Sequence, residues 1–150
     1  MLRHWIDIDN LNGRFLSMNP RAISLLEQHP EKIDWYWLSG NPNAVPLLEK
    51  NLDKVDWSML SSNPNAVHLL KKNLDKVDWL RLSDNHSAEA MILLEPHLDK
   101  LEDQWNLLCE NPFAINLLYN AVNTQMGHHI NWVLVSGNPG IFEDEDNGIK

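Results

Sequence analysis

Histidine and cysteine, the residue types that most often bind metals or act as nucleophiles, are scattered along this chain. The seven histidines include one adjacent pair, His128 and His129. Neighbouring side chains on a loop seldom converge on one ion, and no cysteine or carboxylate spacing completes a tetrahedral set. The single cysteine, Cys109, follows two leucines, which favours a buried structural thiol over a nucleophile. We therefore expect no metal site and no cofactor.

Sequence motifs of catalysis are absent as well. The chain has no glycine-rich phosphate loop, no nucleophile elbow and no HExxH motif. Two carboxylates stand close together in Asp53-Lys54-Val55-Asp56, but the same four residue types recur at 75–78. An active site occupies one place in a chain, so the recurrence indicates a structural role. We predict that the protein is not an enzyme and has no catalytic residue.

Composition and charge exclude several classes of protein. The 150 residues are 43% hydrophobic and 22% charged, which is typical of a folded domain. The net charge of −9 opposes a phosphate-binding surface, so we expect no nucleic-acid partner. No uncharged apolar run reaches the ~18–20 residues of a membrane-spanning helix, and residues 1–10 lack a secretory signal. With a single cysteine, these features predict a cytoplasmic protein without a membrane partner.

The chain repeats itself. Residues 41–62 and 63–84 are identical at 17 of 22 positions without a gap. A tryptophan marks each repeat unit, and an asparagine, usually followed by proline, stands six residues after it. The tryptophans are Trp35, Trp57, Trp79, Trp105 and Trp132, and the asparagines are Asn41, Asn63, Asn85, Asn111 and Asn138. Such periodicity is the signature of a repeat protein.

Each unit predicts two helices. Asp56 is placed to cap a short α- or 3₁₀-helix that carries Trp57 and Leu60 on one face. Asn63 before Pro64 is typical of the start of a second, longer helix. In the preceding unit Pro46 leaves two possible starts for this helix. If Asn41 is the cap, Pro46 lies inside the helix and removes a hydrogen bond, whereas if Asn43 is the cap, Pro46 lies in the first turn.

One unit cannot fold alone. It buries about seven large apolar side chains, worth roughly 10–20 kcal/mol, whereas ordering its backbone costs ~1–2 kcal/mol per residue. We therefore predict an all-α fold, a short right- or left-handed helical solenoid of ~22-residue repeats whose units share their interiors. A single domain is expected over residues 1–142, with units starting near 13, 35, 57, 79, 105 and 132, the last partial. Residues 143–150 are predicted to be a flexible acidic tail.

The repeat pattern resembles a known type. Asn-Pro-Asn-Ala-Val-x-Leu-Leu followed by Asp-Lys-Val-Asp-Trp-x-x-Leu-Ser is similar to tandem repeats in uncharacterised proteins of large DNA viruses, over residues ~9–142. The units at Asn85-His86-Ser87 and Asn138-Pro139-Gly140 depart from it. The alternation of helix types is more loosely similar to leucine-rich-variant repeats. The resemblance brings no catalytic residue, and it implies a scaffold for protein contacts in a host cytoplasm or a virion.

Positions that vary between otherwise similar units are free to carry specificity. One such column consists of the two positions directly after each tryptophan. If the short helix packs through its tryptophan and leucine, these side chains form an exposed apolar strip, which is typical of a contact surface. The alternative is that this face also packs inside a two-layer stack. The candidate partner surface consists of Tyr36, Trp37, Met59, Leu80, Arg81 and Leu107. The tryptophan column itself is expected in the core, and the asparagine column is expected to cap helices and bond neighbouring units.

These features predict a non-enzymatic protein–protein interaction module. The alternative is an assembly protein that forms homo-oligomers through its open C-terminal half-unit. In that case Val135 and Phe142 are expected to be exposed and to contact a second copy.

Overall fold

The structure, a computed structural model, describes residues 2–142. Within this range every regular element is a helix and none is a strand, which confirms the predicted all-α class. Its α-helices are α1 Gly13–Met18, α2 Ile23–Gln28, α3 Trp35–Ser39, α4 Val45–Glu49, α5 Trp57–Ser61, α6 Val67–Lys71, α7 Trp79–Ser83, α8 Ala88–Leu94, α9 Asn106–Glu110, α10 Ile115–Val122 and α11 Trp132–Val135. The predicted acidic tail, residues 143–150, lies outside the described residues.

Short 3₁₀-helices connect the α-helices. They are Ile8–Asn10, Pro30–Lys32, Pro42–Ala44, Leu74–Lys76, Glu95–Leu101, Pro112–Ala114, Gln125–His129 and Pro139–Ile141. Four of them begin with a proline, whose fixed φ and missing N–H suit the first position of a helix. Helices this short are marginal by themselves, so packing rather than intrinsic propensity holds them in place.

The aspartates before the tryptophan helices cap them as predicted. The Oδ1 atoms of Asp34, Asp56 and Asp78 accept the backbone N–H groups three residues later, at 3.3, 2.8 and 3.0 Å. Each bond satisfies one of the free donors at a helix start. At α9 the position before the tryptophan is Gln104, and the helix starts one residue later without a side-chain cap.

The second helix of the unit is not the longer one in the two closely matching units, contrary to the prediction. α4 and α6 have five residues each, as many as α3 and α5. The reason is local, because Asn41 caps the 3₁₀-turn Pro42–Ala44 and the α-helix starts only at Val45. Pro46 then lies in the first turn, where its missing N–H costs no hydrogen bond.

The tryptophan helices pack against one another in chain order. α1 contacts α3, α3 contacts α5, and the series continues through α7, α9 and α11. Each central member buries one leucine completely: Leu38, Leu60, Leu82 and Leu108. The helices that follow them add Leu26, Leu48, Leu70 and Leu94, also with no exposed surface. Burying one such side chain stabilises the fold by ~1.5–3 kcal/mol.

Candidate interaction surfaces

The asparagines that follow each tryptophan helix form a row of buried side chains, which we call the asparagine ladder. Its members Asn41, Asn63, Asn85, Asn111 and Asn138 are at most 3% exposed. The Nδ2 atom of each donates to a backbone carbonyl of the preceding unit. Asn63, for example, donates to Ser39 O and Asn41 O, both at 3.0 Å. The ladder therefore bonds neighbouring units, as predicted.

The other end of the ladder amide shapes the local turn. The Oδ1 atom accepts the backbone N–H two residues later, for example from Asn65 to Asn63 at 3.0 Å. The fourth unit is different, because Ser87 N donates to the backbone oxygen of Asn85. Among the described residues Asn85 Oδ1 is left without a hydrogen-bond partner. The difference occurs in the unit where Asn85-His86 replaces Asn-Pro.

A second set of bonds runs beside the ladder. The hydroxyl oxygens of Ser17, Ser39 and Ser61 accept the backbone N–H groups of Asp34, Asp56 and Asp78 at 2.9–3.0 Å. Cys109 occupies the equivalent position in a later unit, and its Sγ accepts the N–H of Asn131 at 3.4 Å. Burial raises the pKa of the Cys109 thiol, and the hydrogen bond from Asn131 lowers that pKa by a smaller amount, so the net shift is upward. A buried, protonated thiol is a poor nucleophile.

The tryptophan column is less buried than predicted. Only Trp105 is fully enclosed, at 1% exposed. Trp35, Trp57 and Trp79 are half-buried, and each indole lies under a side chain from the end of its own unit. Lys54 Nζ lies 5.0 Å from the Trp35 ring and Lys76 Nζ lies 4.7 Å from the Trp57 ring, while His97 covers Trp79. Trp132, in the last unit, is 60% exposed.

The predicted partner surface contains one cluster of side chains in direct contact, which we call the aromatic patch. Tyr36 and Trp37 meet edge to face with ring centroids 5.0 Å apart. The guanidinium carbon of Arg14 lies 4.4 Å from the Trp37 ring and 5.7 Å from the Phe15 ring. Tyr36 and Phe15 are 42% and 66% exposed. The aromatic patch is thus Arg14, Phe15, Tyr36 and Trp37, and it spans α1 and α3.

Arg14 and Phe15 were missed by the sequence analysis. They stand 22 residues before Tyr36 and Trp37 and belong to the same variable column. The first unit has Gly13 where later units have tryptophan, so the residue that marks each unit is missing there. Counting back 22 residues from Tyr36 and Trp37 identifies Arg14 and Phe15 as members of the column.

The remaining predicted surface residues lie apart from the aromatic patch. Met59 is half-buried, and its Cε methyl group packs over Gly40. A Cβ atom added to Gly40 would lie only 2.9 Å from that methyl carbon. Leu80 and Leu107 are half-buried and Arg81 is exposed. Within residues 2–142, the aromatic and cation–π contacts that join the patch do not extend to these four positions.

The predicted self-association end requires one correction. Val135 is only 8% exposed, because the apolar side of α11 packs on α9. Phe142 is 75% exposed, as predicted. Two residues that the sequence analysis did not include there are also exposed, Trp132 and Val133, the latter at 81%. The open apolar surface at this end is therefore formed by Trp132, Val133 and Phe142.

Three further findings concern metal sites, membrane spans and similarity to known proteins. Within the described chain no three His, Cys, Asp or Glu side chains are grouped to hold a metal ion. None of the helices in residues 2–142 has the length and apolar character needed to cross a membrane. Comparison with protein-family models, curated proteins and solved structures finds no match.

Proposed function

We propose that the protein is a non-enzymatic protein–protein interaction module built as a helical solenoid of ~22-residue repeats. The solenoid proposal is supported by bonds that recur at regular sequence separations. Three ladder asparagines, Asn41, Asn63 and Asn85, donate to a serine carbonyl 24 residues earlier. The contacts of the tryptophan helices in chain order agree with such stacking. Repeat stacks of this kind present a long, rigid surface to partners.

The aromatic patch is the single observation that carries the proposed function. Two large aromatic side chains, Phe15 and Tyr36, stay exposed there at 66% and 42%. Tyrosine, tryptophan and arginine are the residue types that dominate binding energy at protein interfaces. The Arg14 guanidinium stacked over Trp37 holds the indole in one orientation. A preorganised patch binds a partner with a smaller loss of side-chain entropy.

We place this partner in the compartment that the repeat resemblance implies, the host cytoplasm or a virion. The partner is a protein rather than a nucleic acid, because the chain carries a net charge of −9. The patch itself bears one positive charge and no carboxylate, so an apolar partner surface with an acidic edge fits it.

The test compares three truncations of aromatic side chains to alanine, of which Tyr36→Ala and Tyr119→Ala are chemically identical. Trp37→Ala and Tyr36→Ala alter the aromatic patch, whereas Tyr119→Ala removes a tyrosine that is 73% exposed on α10. Tagged variants are used for affinity capture from the native cell, and captured proteins are quantified by mass spectrometry. We expect the patch variants to lose a partner that Tyr119→Ala retains, at unchanged melting temperatures. Equal capture by all variants would refute the proposed function.

A second candidate function is self-association, and a separate observation favours it. Phe142, Trp132 and Val133 leave three large apolar side chains exposed at the C-terminal end of the described chain. Exposed apolar surface of this kind marks contact sites. Size-exclusion chromatography with light scattering tests it on the wild type and on Phe142→Asp. A mass above the 17.4 kDa of one chain that falls in the variant supports self-association; a single-chain mass in both contradicts it.

A further inference from the structure

We infer that a second copy of this chain docks head to tail, so that the asparagine ladder continues from one molecule into the next. This inference rests on the second candidate function, self-association, and adds the faces and the polarity of the contact. The face near α1 and α2 is called the donor face, defined by Asn12, Asn19 and Arg21. The face near α11 is called the acceptor face, defined by Trp132, Ser136 and Asn138.

The donor face carries ladder groups that lack their usual acceptors. Asn19 occupies the ladder position of the first unit, and its Oδ1 accepts the N–H of Arg21 at 2.9 Å, as in later units. Its Nδ2 makes no hydrogen bond within the described residues, and Asn19 is exposed whereas the later ladder asparagines are buried. The backbone N–H of Asn12, the position equivalent to Asp34, also has no acceptor in residues 2–142.

The acceptor face carries the complementary groups. Ser136 is exposed, whereas the equivalent Ser17, Ser39, Ser61 and Ser83 have no exposed surface. Its hydroxyl donates to Trp132 O at 2.7 Å, which leaves the oxygen free to accept, as Ser39 Oγ does from Asp56. In the described chain, no side-chain amide donates to the carbonyl oxygens of Ser136 and Asn138. Their equivalents Ser39 and Asn41 both receive Asn63 Nδ2.

Shape and charge also match. The donor face holds an open groove of about 800 Å³ lined by Leu16, Ala22 and Leu25 beside Asn19 and Arg21. The acceptor face presents the exposed apolar side chains of Trp132 and Phe142. Three of the four arginines, Arg3, Arg14 and Arg21, stand in the first 21 residues, whereas residues 143–146 are all acidic. Opposite charges near the two ends of the sequence favour the encounter and its orientation.

The polarity of the bonds determines the type of assembly. One face supplies N–H donors and the other supplies oxygen acceptors, so neither face satisfies a copy of itself. A two-fold symmetric dimer through one face is therefore disfavoured, and the contact is heterologous. Heterologous contacts form open chains or closed rings. We expect the average mass to rise steadily with concentration instead of stopping at a dimer.

The test blocks each face separately and then mixes the variants. Asn19→Asp with Arg21→Glu keeps the Oδ1 acceptor of the turn but replaces the free donor and the positive charge. Ser136→Lys places a long cation at a position that the internal units bury completely. All three sites are exposed in one copy, so the variants are expected to fold. Asn116→Asp, at an exposed position of α10, is the matched control.

Sedimentation velocity and light scattering give the masses. We expect the wild type and Asn116→Asp to assemble, both blocked variants to remain at 17.4 kDa, and their equimolar mixture to form a 1:1 complex. A wild type that stays monomeric up to ~1 mM contradicts self-association and this inference together. A wild type that assembles while either blocked variant alone still forms dimers overturns the head-to-tail contact and leaves self-association standing.

Discussion

The Asn63 side-chain amide donates to the backbone oxygen of Asn41, its own equivalent one repeat earlier, at 3.0 Å and without access to solvent. The same nitrogen also reaches Ser39 O at 3.0 Å. Its Oδ1 atom accepts Asn65 N. One side chain thus satisfies three backbone groups in two units, which explains why asparagine recurs at this position.

The first prediction concerns this asparagine. Asn63→Ala removes the side-chain donor to two buried carbonyls, of which Asn41 O still accepts Ala44 N, and it also removes the turn acceptor. We therefore expect a loss of roughly 2–4 kcal/mol in the free energy of unfolding. Asn63→Asp keeps the turn acceptor but places a carboxylate against two carbonyl oxygens, and we expect at least as large a loss at neutral pH. Urea denaturation followed by circular dichroism measures both.

Asn65→Ala is the control for that series. Asn65 also donates to a backbone oxygen of the preceding unit, Pro42 O at 3.0 Å, but it is exposed. Water replaces the lost bond there, so the expected loss is below about 1 kcal/mol. Similar losses at positions 63 and 65 would contradict the stabilising role of the buried ladder.

The second prediction concerns Cys109, which stands where the five other units have serine. A serine hydroxyl at this position is expected to accept Asn131 N and to donate to Trp105 O, as Ser61 does with Asp78 N and Trp57 O. Cys109→Ser should therefore change the free energy of unfolding by less than about 1 kcal/mol. Cys109→Ala removes the acceptor and should cost ~1–3 kcal/mol. Thermal and urea denaturation of the two variants would show the difference, and equal losses would contradict it.

The third prediction concerns pH. Burial raises the pKa of the Cys109 thiol above its ordinary value of 9.0. Above that value the unfolded chain loses the thiol proton while the folded chain keeps it, so the unfolded state binds fewer protons and stability falls as pH rises. The loss continues until the pH reaches the folded pKa. We expect the wild type to lose more stability than Cys109→Ser between pH 8 and ~10, and parallel profiles would contradict the shift.

The fourth prediction concerns the lysine over Trp57. Lys76→Met keeps the aliphatic stem but removes the charge that lies 4.7 Å from the indole. Exposed cation–π contacts contribute ~0.5–1 kcal/mol, so we expect a loss of that size. Lys71→Met, at the exposed end of α6, is the control and should change stability less. Equal effects in urea denaturation would mean that the Lys76 charge does not act through the ring.

Much of the local structure follows from the sequence. The Asp-Trp signals place helix starts within a residue, since capping is decided by the side chain beside the helix. The Asn-Pro signals mark a turn or a 3₁₀-helix instead, and α4, α6 and α10 begin three residues after the proline. The third helical segment of the unit, seen as Pro30–Lys32 and Leu74–Lys76, was not predicted. A 3₁₀-turn of three residues has no apolar periodicity, so its sequence does not distinguish it from a connecting loop.

Burial along the repeated columns was predictable only in part. The leucines Leu38 and Leu60 stand on the inner side of their helices, and spacing alone places them in the core. Trp57 and Trp132 have the same spacing, yet one is half-covered by Lys76 and the other is 60% exposed. Exposure at these positions depends on contacts with residues about 20 positions later in the sequence.

The sequence by itself determined the helical class, the period and the capping positions, because these depend on residues a few places apart. Only the tertiary structure decided that Arg14 lies on Trp37 and that Val135 is covered. It also decided that Asn19 and Ser136 keep hydrogen-bonding groups without a partner among residues 2–142. Contacts between units depend on how two surfaces meet in space, and the sequence pattern of one unit does not contain that information.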